Sequence, residues 1–216
     1  MLAAARCKPR CDGTTATGAT EEQSVTETPD WRARRWAATH QRIYDAALDL
    51  FQEHGFDAVN IGQIARAASV SVPTFYAHYP SKEHLIMHLP SAEDFALFMA
   101  QFPGDLPMVA RIRQAVPQWT AGWDQDFRDD ALTRWRIVAT TPSLRTRAAE
   151  FERATGNVVA DAMPVEPGGP ARSSDAIVIN AYMSAYTAAL LEWADCNGER
   201  KLEELIEESF DALQLR

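Results

Sequence analysis

From Trp31 onward, apolar residues return every three or four positions almost without interruption, and no stretch of useful length alternates apolar with polar residues. A period near 3.6 belongs to helices and a period of two to half-buried strands, so the pattern predicts an all-α chain. The first helix is expected over residues 34–54, where Ile43, Ala46, Ala47, Leu50 and Phe51 make one stripe and Gly55 ends it. A second begins after Asn60, whose side chain can accept from the helix while Gln63, three residues on, reaches back to the Asn60 amide. It buries Ile61, Ile64, Ala65 and Ala68 and lasts at most two turns. After a break at Ser69 and Val70, the Ser71 hydroxyl can cap a third helix, with Pro73 in the first turn where a missing N–H is tolerated. Pro80 ends that helix, and Ser81 is placed to cap a fourth that opens Lys82-Glu83-His84-Leu85.

Further helices are expected near residues 92–102, 107–121, 127–140, 144–163, 175–196 and 200–214, with Pro90 marking a kink or a new start. Residues 165–174, with Pro167, Gly168, Gly169 and Pro170, read as the one long loop. Residues 1–30 are rich in Thr, Ala, Gly and Glu without periodicity and read as a disordered tail. The expected organisation is that tail, a small helical domain over 31–80 and a larger one over 81–216.

Charge modifies the picture by its distribution. The 216 residues carry a net charge of −9, which argues against a protein that coats nucleic acid along its whole surface. Residues 31–90 nevertheless hold a slight positive balance, and the acidic excess lies C-terminal to them. Cys7, Cys11 and Cys196 form no disulfide framework and suit a reducing cytosol, and no second pair of ligands accompanies the first two for zinc. The start of the chain is too short in apolar residues for a signal peptide, and the apolar stretch over 175–195 is interrupted by Asn180, Ser184, Thr187 and Glu192. A cytoplasmic protein with no membrane partner is expected.

Two short helices joined by a tight turn, the second capped and presenting small polar and aromatic groups from its first turns, match helix-turn-helix geometry, which fits a DNA major groove. The run from Ile43 to Leu85, IYDAALDLFQEHGFDAVNIGQIARAASVSVPTFYAHYPSKEHL, resembles the DNA-binding domain of the TetR family over nearly all of its length. Leu50-Phe51, Gly55-Phe56, Ile64-Ala65, Val70-Ser71, Thr74, Tyr76, His78-Tyr79 and Ser81-Lys82-Glu83 all fall in that family's register. One position departs: Ser69 stands where the family usually has glycine, at a strain cost if that residue is left-handed.

The resemblance implies that Ser71 opens the recognition helix, that Val72 and Pro73 meet base edges, and that Thr74, Tyr76, His78 and Lys82 grip phosphates, with Phe75 turned inward. Arg, Asn and Gln are missing from this helix, so base reading would rest on thymine methyls and groove shape. Arg32, Arg34 and Arg35 are expected in an arm ahead of the first helix, reaching phosphate or a minor groove. Packing or plain surface is the rival reading of each residue taken alone.

The rest of the chain is similar, more loosely, to the ligand-binding half of TetR-type regulators that respond to acyl-CoA-like molecules, including the mycofactocin-system type. The stretches that carry the likeness are RWRIVATTPSLRTRAAEFE from Arg134 and AALLEWADCNGERKLEELIEESFDAL at the end. That likeness implies an effector pocket near Trp119, Trp123, Phe127, Trp135 and Met163, against the alternative that these are ordinary core. Arg134, Arg136, Arg145 and Arg147 could meet the phosphates of such a ligand, or form a solvated face. A homodimer is expected through the helices at 175–196 and 200–214. Ile177, Ala181, Ala185, Ala188 and Ala189 give one of them a flat surface, and Leu202, Leu205, Ile206, Phe210 and Leu213 give the other an apolar stripe. The alternative is burial within the same chain.

No nucleophile elbow, zinc-protease motif, phosphate loop or dinucleotide fingerprint occurs, so no catalytic residues, metal or cofactor are expected. His84 and His88, four apart, lack a third ligand nearby. The reading is a homodimeric repressor released from a near-palindromic double-stranded DNA operator by a small apolar or acyl-CoA-like effector. A transcriptional activator would share every residue, and an interaction module that has lost DNA binding is a further alternative.

Overall fold

The computed structural model describes residues 31–87, 92–103, 106–162 and 172–213. They form α1 (Trp31–His54), α2 (Ile61–Ala67), α3 (Val72–His78), α4 (Glu83–Ile86), α5 (Ala92–Met99), α6 (Met108–Ala121), α7 (Gln125–Thr140), α8 (Pro142–Ala162), α9 (Arg172–Asp195) and α10 (Leu202–Ala212). The fold is all-α, as the periodicity requires.

The caps foreseen around α2 are present. The Asn60 side chain accepts from the Gln63 amide at 3.0 Å while the Gln63 carboxamide accepts from the Asn60 amide at 2.8 Å. Two hydrogen bonds close the turn after α2, Val70 N to Ala65 O at 2.9 Å and Ser69 N to Arg66 O at 3.1 Å. This double closure places its first residue past the helix in the left-handed region, and Ser69 indeed has φ 53°. The family's usual glycine is therefore absent from a position whose backbone calls for it.

Three apolar clusters follow the chain. The first joins Ile43, Ala47 and Phe51 of α1 to Ile64, Phe75, Leu85 and Ile86, and continues into Ile137 and Val138 of α7 and Leu144 and Ala148 of α8. The second is built on α9 and α10, with Ile112 of α6 and Ala131 of α7. A third and smaller one holds Met99, Phe102 and Ala115, with Phe98 and Met108 against it. The first cluster runs across residue 80, so the small N-terminal domain and the larger one share a core at their junction.

Three expectations need correction. Helix α1 starts at Trp31, so Arg34 and Arg35 lie in its first turns and not in an arm ahead of it. Ser81 does not cap the fourth helix: α4 begins at Glu83, its N-cap is Lys82 without a side-chain bond, and the Ser81 Oγ lies 2.9 Å from Nδ1 of His84. The apolar stripe of α10 faces its own chain, with Leu202, Leu205, Ile206 and Phe210 all buried against α9 and α6. An amphipathic helix buries its stripe on whatever apolar face is nearest, and the hairpin after α9 brings that face within the same molecule. Asn197 and Gly198 turn this hairpin with φ 59° and 76°. Pro90, His88 and residues 165–171 of the expected loop lie outside the described residues, whereas residues 172–174, expected in that loop, belong to α9.

Replacing Ser69 with glycine is expected to stabilise the fold by up to about 1 kcal/mol, because relief of the left-handed penalty exceeds the added freedom of the unfolded chain. A rise of a few degrees in melting temperature, followed by circular dichroism, would register it; a fall would contradict the strain at this turn.

Candidate nucleic-acid interface

Helix α3 is fixed at its start by its own cap. The Thr74 amide donates to Ser71 Oγ at 3.1 Å, and the two hydroxyl oxygens of Ser71 and Thr74 lie 2.7 Å apart. Phe75 is fully buried and acts as the axle of the helix. With Phe75 inward, the opposite side shows Ser71, Val72, Pro73 and Tyr76 to solvent, Val72 at 41% and Tyr76 at 52% exposure. A seven-residue helix that hides one aromatic ring and offers a second beside an exposed valine presents a partly apolar ridge, suited to base edges and methyl groups.

The far end of α3 is held by stacked rings. His78 lies 4.7 Å from Trp36, Trp36 lies 4.8 Å from His40, and His40 stacks at 4.1 Å on Tyr79, measured between ring centroids. The Tyr79 hydroxyl also donates to the backbone oxygen of His40 at 3.2 Å. Burial, and then the neighbouring His78, lower the His40 pKa to about 4. Burial, and then Arg42, lower that of His78. Both Nδ1 atoms are buried without a hydrogen-bond partner, so each ring behaves as an apolar disc in this stack. His78 is thus half-buried and packed on Trp36, with its Nδ1 turned away from solvent. The stack also lays the first turns of α1 beside the end of α3, with Arg34 and Arg35 exposed next to Trp36.

Lys82 is engaged within its own chain. Its ammonium donates to the backbone oxygens of Phe56 at 2.9 Å and Val59 at 3.0 Å, and stands 4.2 Å from the centre of the Phe56 ring. Two of its three protons therefore tie the loop between α1 and α2 to the start of α4. Sequence spacing had no access to this, because carbonyl acceptors leave no mark on residue type.

A polar bridge joins this region to the C-terminal half. Tyr44 of α1 donates to Asp130 Oδ1 of α7 at 2.5 Å, and Arg134 Nε donates to Asp130 Oδ2 at 3.0 Å. Arg134 also donates to the backbone oxygen of Ile86, at the end of α4, at 3.2 Å, and its guanidinium lies 5.9 Å from the Phe127 ring centre. Burial raises the Tyr44 pKa, against the pull of Arg134, and keeps the hydroxyl a donor. Burial likewise raises the Tyr186 pKa on α9, where Arg134 again pulls the other way. Sequence reasoning missed Tyr44 and Asp130, which are 86 positions apart.

The aromatic residues expected around a pocket divide between places. Trp123 and Phe127 meet edge to face at 5.0 Å within the second cluster, and Trp119 meets Phe98 of α5 at 5.0 Å. Trp135 is half-buried where the first and second clusters adjoin. Met163 lies outside the described residues. Of the four arginines foreseen as phosphate ligands, Arg145 pairs with Asp195 at 3.2 Å, Arg147 with Glu150 at 3.6 Å, and Arg134 with Asp130. Arg136 reaches the backbone oxygen of Asn197 at 3.4 Å. Around α9, Ala185 and Ala189 turn inward, while Ile177 at 71% exposure and Ala188 face out.

Comparison with known proteins agrees with this arrangement. A family model described as bacterial regulatory proteins of the tetR family matches residues 43–89, and one described as the MftR C-terminal domain matches residues 106–216. The mycofactocin biosynthesis transcriptional regulator MftR of Mycobacterium tuberculosis is 27% identical over 142 residues, 63% of this chain and 69% of that protein. The regulator TcmR of Streptomyces glaucescens is 32% identical over 149 residues, 64% of this chain and 66% of its own length. A crystal structure of a TetR-family regulator from Syntrophomonas wolfei superposes with a TM-score of 0.52 at 18% identity, over 82% of this chain and 93% of that one.

The stacked histidines make the fold acid-sensitive. Unfolded His40 takes its proton near pH 6.5 and folded His40 only near 4, so its contribution is complete above the first value and is lost as pH falls toward the second. Melting temperature is expected to drop between about pH 7 and pH 5, and His40→Gln should narrow that drop. A drop of equal size in the variant would remove His40 from the cause.

Proposed function

Since the chain belongs to the TetR family of bacterial regulatory proteins and carries an MftR-type C-terminal domain, we propose that it is a homodimeric repressor, released from a near-palindromic operator when a small apolar or acyl-CoA-like effector binds its C-terminal half. The observation that carries the reading is the outward ridge of Val72, Pro73 and Tyr76 on a helix whose opposite face is anchored by Phe75. Val72 and Pro73 meet base edges, and Ser71, Thr74 and Tyr76 contact phosphates on either side. Arg34 and Arg35 add charge from the first turns of α1, and this local positive strip offsets the acidic remainder of the chain during approach to DNA.

Two recognition helices about 34–36 Å apart reach successive major grooves, so the subunits pair at a fixed spacing. The buried stripe of α10 leaves the outer flank of α9, with Ile177 and Ala188, as the surface for that pairing. The effector acts as a coupling of roughly 1–3 kcal/mol between two sites. Arg134 is the element positioned to carry it: the guanidinium stands beside Phe127 and holds both the carboxylate that grips Tyr44 and the carbonyl that ends α4. A ligand that draws Arg134 toward the aromatic residues loosens α1 and α4 together, and half-site spacing changes with them. The effector also needs no chemistry performed upon it, in keeping with a regulator that is not an enzyme.

Tyr76→Ala is expected to weaken operator binding by about ten-fold or more at constant salt while leaving the melting temperature within a degree or so, because the ring is half exposed. Lys82→Ala should behave differently and lower the melting temperature, since two backbone carbonyls lose their donor. Fluorescence anisotropy on an operator recovered from genomic fragments, paired with thermal unfolding, separates the two; full-strength DNA binding by Tyr76→Ala would overturn the assignment.

A further inference from the structure

Arg111 occupies the first turn of α6, is only 7% exposed, and has a buried Nε with no hydrogen-bond partner. Among the described residues it forms no ion pair. A buried guanidinium ordinarily has a carboxylate against it, because removing a charge from water is costly without a counter-charge. The acid that approaches this end of α6 from α10, Asp211, is taken by Arg113.

Two features of the surroundings sharpen the imbalance. Pro107 supplies α6 with no side-chain cap, and the first turn contains no acidic residue, so this 14-residue helix brings no negative charge of its own to its positive end. Helical side chains lean toward the N-terminus, which directs Arg111 back over that same end. Meanwhile Arg111 lies one turn from both Met108 and Ala115, which pack with Met99, Phe102 and Phe98 in the third apolar cluster, and Phe98 carries Trp119 against its edge. Without a partner among the described residues, this positive charge thus borders a cluster rich in thioether and aromatic groups, of which Phe98 and Met108 are half-buried and Met99 and Phe102 buried.

We infer that Arg111 is the anchor for the anionic head of an amphiphilic ligand, a carboxylate or phosphate monoester whose apolar body packs on the half-buried Phe98 and Met108, which lie against the buried Met99 and Phe102. The anion accepts two parallel N–H bonds from the guanidinium fork and faces the open amides of the first turn of α6, which compensates both sources of positive charge at once. The inference rests on the effector reading of the C-terminal half and deepens it, since it names the chemical class of the molecule and the residue that selects it. It also explains why so costly a side chain occupies a helix face otherwise used for core.

The test uses the full chain and three probes of one chain length: dodecanoate, dodecyl phosphate and dodecanol, with binding followed by tryptophan fluorescence and confirmed by native mass spectrometry. The wild type is expected to bind one of the anionic probes at least about ten-fold more tightly than dodecanol, and Arg111→Met should abolish that preference while leaving dodecanol binding unchanged. Arg111→Lys, which keeps the charge but not the fork, should fall between them. Arg111→Met should melt no lower than the wild type, because an apolar chain of similar length replaces an uncompensated charge. Equal binding of all three probes by the wild type, an unaltered preference in Arg111→Met, or a marked loss of stability in that variant would each overturn the inference. Operator affinity measured alongside keeps the two readings apart: loss of DNA binding from the wild type refutes the repressor and leaves the anion site standing, whereas intact DNA binding without anion preference does the reverse.

Discussion

One carboxylate governs how the two halves of the molecule sit together. Asp130 accepts from Tyr44 of α1 on one oxygen and from Arg134 of its own helix on the other, and Arg134 continues to the last carbonyl of α4. A hydrogen bond to a charged acceptor in a poorly hydrated setting is stronger than one in water, and its loss strands a buried group. Separating α1 from α7 would leave the acid short of a donor, and separating α4 from α7 would leave the arginine short of an acceptor, while opening the apolar cluster that crosses the same junction. The helix-turn-helix region is therefore bolted to the larger helical body by a linkage with direction, which movements of α7 must pull upon.

Much of the N-terminal architecture was readable from residue order because its determinants are local. Asn60 and Gln63 make the reciprocal contact that their spacing of three predicts, and the Ser71 hydroxyl caps the third helix as expected, accepting from the Thr74 amide. Phe75 is also turned inward, as the family resemblance implied. The left-handed Ser69 was signalled by the glycine that the resembled family usually has there and not by residue order alone.

Where partners are distant, residue order is mute. Lys82 spends its protons on carbonyls of Phe56 and Val59, and any basic residue at the surface would have looked the same in the sequence. The stripe of α10 was correctly seen as apolar, yet periodicity says that a face is buried and not which molecule buries it; the α9–α10 hairpin decided in favour of the same chain. Arg34 and Arg35 were separated from their helix only because a helix boundary is poorly marked when basic and aromatic residues alternate near it. Arg111 did carry a signal, as a charged residue in the stripe that includes Met108, Ile112 and Ala115, but such a residue reads equally as one that reaches out to water.

The recognition helix is clamped at both ends, by its serine cap at one and by the column of rings from Trp36 to Tyr79 at the other. A reader so restrained cannot mould itself to the groove it enters. Any misfit between ridge and duplex must then be absorbed by bending or groove narrowing of the nucleic acid, so discrimination among binding sequences shifts toward the pliability of their base steps, including steps that no side chain touches.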